Sequence, residues 1–323
     1  MGQLSYDIEK VYKEFVTISN YFDEDNVSNL INNPNAPIHN YCHYESNSGD
    51  GKCNDYFQMA SSGVIHFLNN LKNTNGLDYD KLAEYAILWL SYKLNINSQS
   101  SSIKLNDFYT QYIETNNDYN KNLNDSDSMT YKAIIDKKKN LMDIKEISKF
   151  NDLFSILYYL YYVIRDEDWN CKENLELANK FYNQFKELNN DSNNIEDSSY
   201  NKLLSTLSND YNNLKKTCDY NRCTNFPPLP KIEAKKSSAQ NSVVNPVDKS
   251  VKGSEQLLGQ TPEATSSSSS ILNTVIPGLS IFAIPVFLGV AYKYSLFGID
   301  KLFQRQYIRK QLKKIKKKMK LNI

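Results

Sequence analysis

Histidine is scarce, with three copies in 323 residues. The patterns that build hydrolases and nucleotide enzymes are missing too: no G-x-S-x-G, P-loop or H-E-x-x-H occurs. No catalytic residue, cofactor or metal site is expected, and the chain does not read as an enzyme. Glycine and proline are thin before residue 226, where five of the ten glycines and two of the nine prolines fall. That suits helices joined by polar loops more than a sheet protein. A basic excess is also absent there. Residues 1–292 hold 27 Lys and Arg against 36 Asp and Glu, so they carry about −9. An acidic head speaks against nucleic acid, which needs a basic patch.

What the head lacks in apolar length, the C-terminal part has. From Ile271 to Tyr292 runs ILNTVIPGLSIFAIPVFLGVAY, 22 residues without a charge. About 20 such residues cross a hydrocarbon core as a helix. Pro277 and Pro285 are tolerated in a bilayer when neighbours satisfy the freed carbonyls. From Lys293 to Ile323 follow eleven Lys and Arg against one acid, Asp300. Positive charge beside a span marks the cytoplasmic side. The expectation is a single-pass protein with residues 1–270 extracytoplasmic, residues 293–323 a cytoplasmic tail, and membrane lipid a partner of span and tail. The first residues, MGQLSYDIEKVYKEF, do not form the apolar stretch of a signal peptide. Tyr6 stands where a myristoylation signal needs Ser or Thr. Entry into the secretory route is therefore expected to rely on the span. Between Phe226 and Ser270 no periodicity occurs; FPPLP opens this part and SSSSS closes it. It reads as a disordered stalk.

Residues 1–225 carry helical stripes. Ile8, Val11, Phe15, Ile18 and Phe22 form the first, and Phe57, Ala60, Val64, Phe67 and Leu71 the second. Leu82, Tyr85, Trp89 and Tyr92 form a third, with Asp78 or Asp80 as N-cap. Two adjacent seams follow, Ile147-Phe150-Phe154-Leu157-Tyr161-Ile164 and Leu153-Ile156-Leu160-Val163. A helix apolar on two sides is enclosed by others, so this one is placed centrally. Leu175, Ala178, Tyr182, Phe185 and Leu188 mark a weaker helix, and Phe108 to Ile113 another. Tyr200, Leu204, Leu207, Tyr211, Leu214 and Cys218 give the cleanest stripe, capped by Ser198 or Ser199. The fold class is all-α: a compact helical head, a stalk and one transmembrane helix.

All five cysteines, Cys42, Cys53, Cys171, Cys218 and Cys223, fall in the head. That partition suits an oxidising compartment, and an odd count leaves one over within a monomer. His39, Cys42, His43 and Cys53 invite a zinc reading, but their spacing matches no common structural site. A Cys42–Cys53 disulfide closing the Gly49/Gly51 loop is expected instead. Cys171 opens one helix and Cys218 ends the stripe of the next, so a helical hairpin would bring them together. That pairing leaves Cys223 over. The competing arrangement is a tight Cys218–Cys223 loop. His66 reads as a packed or surface residue, and Asp166, Glu167 and Asp168 as a solvated loop. Tyr158, Tyr159, Tyr161 and Tyr162 read as core. N-x-[ST] at Asn26, Asn124 and Asn190 carries little weight in an Asn-rich chain.

IIDKKKNLMDIKEISKFNDLF (134–154), LANKFYNQFKELNND (177–191) and SSYNKLLSTLSNDYNNLKKTC (198–218) closely resemble the Plasmodium interspersed repeat (PIR) variant proteins of rodent malaria parasites. So does the order of helical head, FPPLP, low-complexity stalk, IPGLSIFAIPVFLGVAYKYSLFG and basic tail. The resemblance implies a disulfide-bonded α-helical ectodomain and no catalysis. It implies display on the parasite or in the infected-erythrocyte membrane system, with roles in antigenic variation, immune evasion and binding of a host cell-surface receptor. The alternative is a membrane-structural or trafficking protein that acts through its span and tail. Many members carry a cysteine where this chain has Val11-Tyr12, and another where it has Gly63-Val64-Ile65. Others fall near Tyr158 and Asn174. If the first two pair in the family, Tyr12 and Val64 would here meet in a purely apolar contact.

Overall fold

The computed structural model describes residues 6–19, 21–22, 37–44, 52–96, 103–124, 129–144, 147–164, 171–220 and 225–236. Among them lie α1 (Ile8–Ser19), α2 (Tyr56–Leu71), α3 (Tyr79–Ile96), α4 (Leu105–Phe108), α5 (Tyr131–Asp136), α6 (Ile147–Ile164), α7 (Cys171–Asn190) and α8 (Ser199–Tyr220). A π turn, Tyr109–Ile113, continues α4, and short 3-10 turns occur at Pro37–Tyr41, Asn117–Asn120 and Lys139–Leu141. Extended pairing among the described residues is limited to isolated bridges, so the head is all-α.

The two-seamed helix is central. α6 packs against α1, α3, α7 and α8. Phe150, Leu153, Phe154, Ile156 and Leu157 are fully buried, as a helix apolar on two sides requires. α1 and α2 run antiparallel. Phe15 stacks on Phe67 at 4.8 Å, and Phe22 meets Tyr56 edge-on at 5.3 Å. Caps follow side-chain chemistry: Asp55 accepts from the Gln58 N–H, Asp78 from Lys81, Thr130 from Ala133 and Ser198 from Asn201. Asp78, not Asp80, therefore caps α3; Asp80 sits beside Lys137 and Lys138.

Two stripes differ from their expected width. In α2, 13 of 16 residues are buried, including Met59, Ile65 and Leu68. The Pro37–Tyr41 turn covers the second side, and Ser62 donates to the Ile38 carbonyl. In α7 the buried line is Asn174, Leu177, Ala178, Phe181, Phe185 and Leu188. Leu175 and Tyr182 flank it, half-buried, because the helix is rotated to seat Phe181 on Tyr211 at 4.6 Å.

The stalk does not begin without order at 226. Phe226 is buried and stacks near Tyr211, whose hydroxyl donates to the Pro227 carbonyl. The Asn189 amide then reads the extended backbone twice, donating to Lys231 O at 2.9 Å and accepting from Glu233 N at 3.0 Å. Lys235 pairs in parallel with Ile195. Residues 226–236 thus form a strap along the α7–α8 turn. Among the described residues no helix is long and apolar enough to cross a membrane; the 271–292 run and the tail lie outside them.

Candidate functional site

The cysteine corner is built as expected. Cys42 and Cys53 are bonded, with Cα atoms 5.1 Å apart and both side chains buried. The neighbouring histidines turn away from each other. His39 is buried, and its Nδ1 accepts the Cys53 N–H at 3.1 Å. His43 faces Asp118, whose Oδ2 lies 2.8 Å from its Nδ1 and accepts its backbone N–H. Among the described residues no three His, Cys, Asp or Glu side chains are placed to hold a metal.

This corner is sewn to the segment after the π turn. Tyr44 bridges Asn116, and its hydroxyl donates to the Tyr112 carbonyl at 2.9 Å. Asn116 donates to Tyr41 O, and Lys121 closes on Asp118 at 2.6 Å. Asp118 is fully buried beneath His43 and Lys121, whose side chains are 48% and 60% exposed. Buried and exposed positions interleave: Ile113, Asn116, Asp118 and Tyr119 form the frame, while Glu114, Asn117, Asn120 and Asn122 face solvent. The result is a polar platform whose outward residues take little part in holding the frame.

The head has a second, buried polar centre. Asp210 on α8 is 1% exposed and accepts hydroxyls from Tyr12 at 3.0 Å and Tyr85 at 2.8 Å. Tyr161 stacks on Tyr12 at 4.2 Å and donates to the Asp210 backbone carbonyl. Burial pushes the Asp210 carboxyl up to about 7, against the pull of the two hydroxyls. Tyr12 therefore does not meet Val64 in an apolar contact. The antiparallel register opposes Ile18, not Tyr12, to the Gly63-Val64 level, and leaves Tyr12 to α6 and α8.

The Cys171–Cys218 pairing is not formed. Cys171 is in a disulfide and exposed, whereas Cys218 keeps a thiol that is fully buried. The stripe reading put Cys218 in the core correctly, but the start of α7 faces solvent, so the two sulfurs look in different directions. Cys223 lies outside the described residues, as do Asn26 and Asp166, Glu167 and Asp168. Tyr158, Tyr159 and Tyr161 are core, and Tyr162 is half-buried. His66 is packed rather than exposed, beside Tyr21 and Asn70. Asn190 is exposed at the end of α7 and Asn124 is half-buried. The frame residues Asn116 and Asp118, and the buried Asp210, were not marked in the sequence. Polar residues within Asn-rich or stripe segments give no sign that they are inward.

The family model for the Plasmodium variant antigen protein Cir/Yir/Bir matches residues 12–293. The chain belongs to this family. A solved structure of a Plasmodium PIR protein ectodomain is similar, at 33% identity and a TM-score of 0.52, over 69% of this chain and 99% of the solved one. No curated protein matches. In this variant antigen, the platform combines a buried frame with outward polar side chains. Ile195 is the one large hydrophobic exposed among the described residues.

Proposed function

We propose that this variant antigen works through its helical head, held outside the cytosol by a span at 271–292. The head displays exchangeable polar epitopes and uses them to bind a host cell-surface receptor. The observation that carries the reading is the platform of residues 37–44 and 109–124. Its frame residues are buried, while outward Asn117, Asn120 and Asn122 can change without disturbing the core. Family membership supports the antigenic part, and the charge asymmetry across the apolar run supports the topology.

Protease shaving of intact infected cells tests the display. Loss of the head with retention of the tail is expected, and a protected head would overturn it. Soluble residues 1–236 should then bind red cells, endothelium or leukocytes, and substituting Asn117, Asn120 and Asn122 together should abolish that binding while leaving the fold intact. If the head binds no cell and residues 260–323 alone recruit cytosolic partners, the protein acts instead through its span and basic tail.

A further inference from the structure

Two partnerless oxygens lie on one hydrogen-bonded pair of side chains. Asp152 of α6 is 8% exposed, and its Oδ2 accepts from Gln184 Nε2 of α7 at 3.1 Å. The other oxygen of each group, Asp152 Oδ1 and Gln184 Oε1, is closed off from solvent and has no hydrogen-bond partner. Buried oxygens are ordinarily satisfied. Both of these are acceptors, and an ionised carboxylate has no hydrogen to offer the carbonyl.

One proton satisfies both. A protonated carboxyl carries a donor and an acceptor side by side, as a carboxamide does. The two groups then fit as a ring of two hydrogen bonds. Burial favours the protonated form and pushes the carboxyl up to about 6, although Lys180 of α7 and the Gln184 N–H favour the ion. From α1, α3 and α8, which also pack on α6, no charged group among the described residues bears on Asp152. Lys149, a turn earlier on α6, is paired with Asp191 at 2.9 Å.

We propose that Asp152 and Gln184 form a proton-operated clip between α6 and α7. Closed, Oδ1–H donates to Gln184 Oε1 while Gln184 Nε2 donates to Oδ2. Open, the ionised carboxyl keeps the second bond alone, and its proton has gone to water. The carboxyl binds its proton more tightly folded than unfolded. The clip's contribution to stability is therefore complete below about pH 4 and is lost as pH rises through about 6. The clip is independent of the platform and of the receptor reading.

The test uses residues 1–236; the solved relative is likewise an ectodomain. Asp152→Asn puts an N–H where the proposal puts the O–H, and so closes the clip at every pH. Urea denaturation should find this variant more stable than the wild type at pH 7.5. Its advantage in the folded-to-unfolded ratio should be about tenfold larger there than at pH 5, because the wild-type carboxyl loses its proton in that window. Asp210 and His66 titrate in both proteins and drop out of the comparison. The geometry is read from wild-type crystals grown at the same two pH values. At pH 5, Oδ1 and Oε1 should lie within about 3 Å, a distance that two acceptors reach only with a hydrogen between them. At pH 7.5 they should stand further apart. Oxygens beyond hydrogen-bond reach at pH 5 overturn the proposal, as do equal separations at both pH values. An advantage of Asp152→Asn that is the same at both pH values, or no advantage at pH 7.5, overturns it equally. If Asp152→Asn does not fold, the two wild-type structures still decide.

Discussion

The hydroxyl of Tyr12 donates to the carboxylate of Asp210 across 3.0 Å, joining residues 198 positions apart. Tyr85 approaches the same carboxylate from α3 at 2.8 Å. Three helices thus converge on one buried acid in an otherwise aromatic core. Burial costs an ionised carboxylate more than two neutral hydroxyls return, so its pKa rises from 3.8 to about 7.

Stability should therefore depend on pH in an unusual direction. Asp210 binds its proton more tightly folded than unfolded. The folded state is penalised above about pH 7, and the penalty is relieved as pH falls from there toward 4. Its upper bound is about 4 kcal/mol. Asp152, pushed up to about 6 by burial, acts in the same sense, while His66, lowered by burial, opposes both below pH 6.5. Urea midpoints of residues 1–236 at pH 8 and 6 should show the wild type more stable at pH 6, and Asp210→Asn should lose most of that difference. A variant with the same pH slope as the wild type would mean that Asp210 does not titrate in this range.

Gly63 is held empty by Trp89. A Cβ at Gly63 would lie 2.5 Å from Trp89 Cη2 and 3.3 Å from Ile18 Cγ2, and both neighbours are fully buried. Gly63→Ala gains helix propensity of about 1 kcal/mol. The overpacking cost of about 1–3 kcal/mol exceeds it in most of that range. A net loss of about 1–2 kcal/mol in urea denaturation is expected, with a blue or red shift of Trp89 emission. An unchanged or raised midpoint would mean that the ring moves freely.

The legible part of the fold was the part governed by apolar periodicity. Ile8 to Phe22, the two seams of α6 as far as Val163 and the Tyr200–Cys218 stripe became core because a helix must bury one face, and the spacing says which. Polar residues that turn inward were not legible. Asn116, Asp118 and Asp210 look like loop or flank residues until distant partners, Tyr41, His43 and Tyr12, are brought to them. The short α5 and the 3-10 turns have too few residues for a period to register. The strap was read as stalk for a similar reason: its contacts are mainly backbone bonds supplied by Asn189 and Asn194, and these leave no side-chain pattern.

The cysteine map can be settled directly. Cys42 is bonded to Cys53, Cys171 is in a disulfide, and Cys218 keeps its thiol. By arithmetic over five cysteines, Cys223 is the remaining sulfur for Cys171 within one chain. Non-reducing peptide mapping should give a 42–53 link and a 171–223 link. Cys218 should resist alkylation in the native protein and react after denaturation, because it is fully buried. A peptide joining 171 to 218 would contradict this assignment.

The strap extends the folded head past residue 225. A fragment stopped at 225 would lose Phe226 from beside Tyr211, the Tyr211–Pro227 bond and both bonds of the Asn189 amide. Burying one Phe contributes about 1.5–3 kcal/mol, and each hydrogen bond about 1 kcal/mol net. Part of this is returned by the conformational freedom that residues 226–236 regain. Residues 1–225 should therefore be less stable than 1–236 by about 2–4 kcal/mol in urea. Asn189→Ala within 1–236 should lose about 1–2 kcal/mol, since the residue is 5% exposed and its amide bonds the strap backbone at two points. Hydrogen exchange separates the causes: in Asn189→Ala, the Glu233 and Lys235 amides should exchange faster while those of the α6 interior stay protected. Equal midpoints for the two fragments would return residues 226–236 to the stalk.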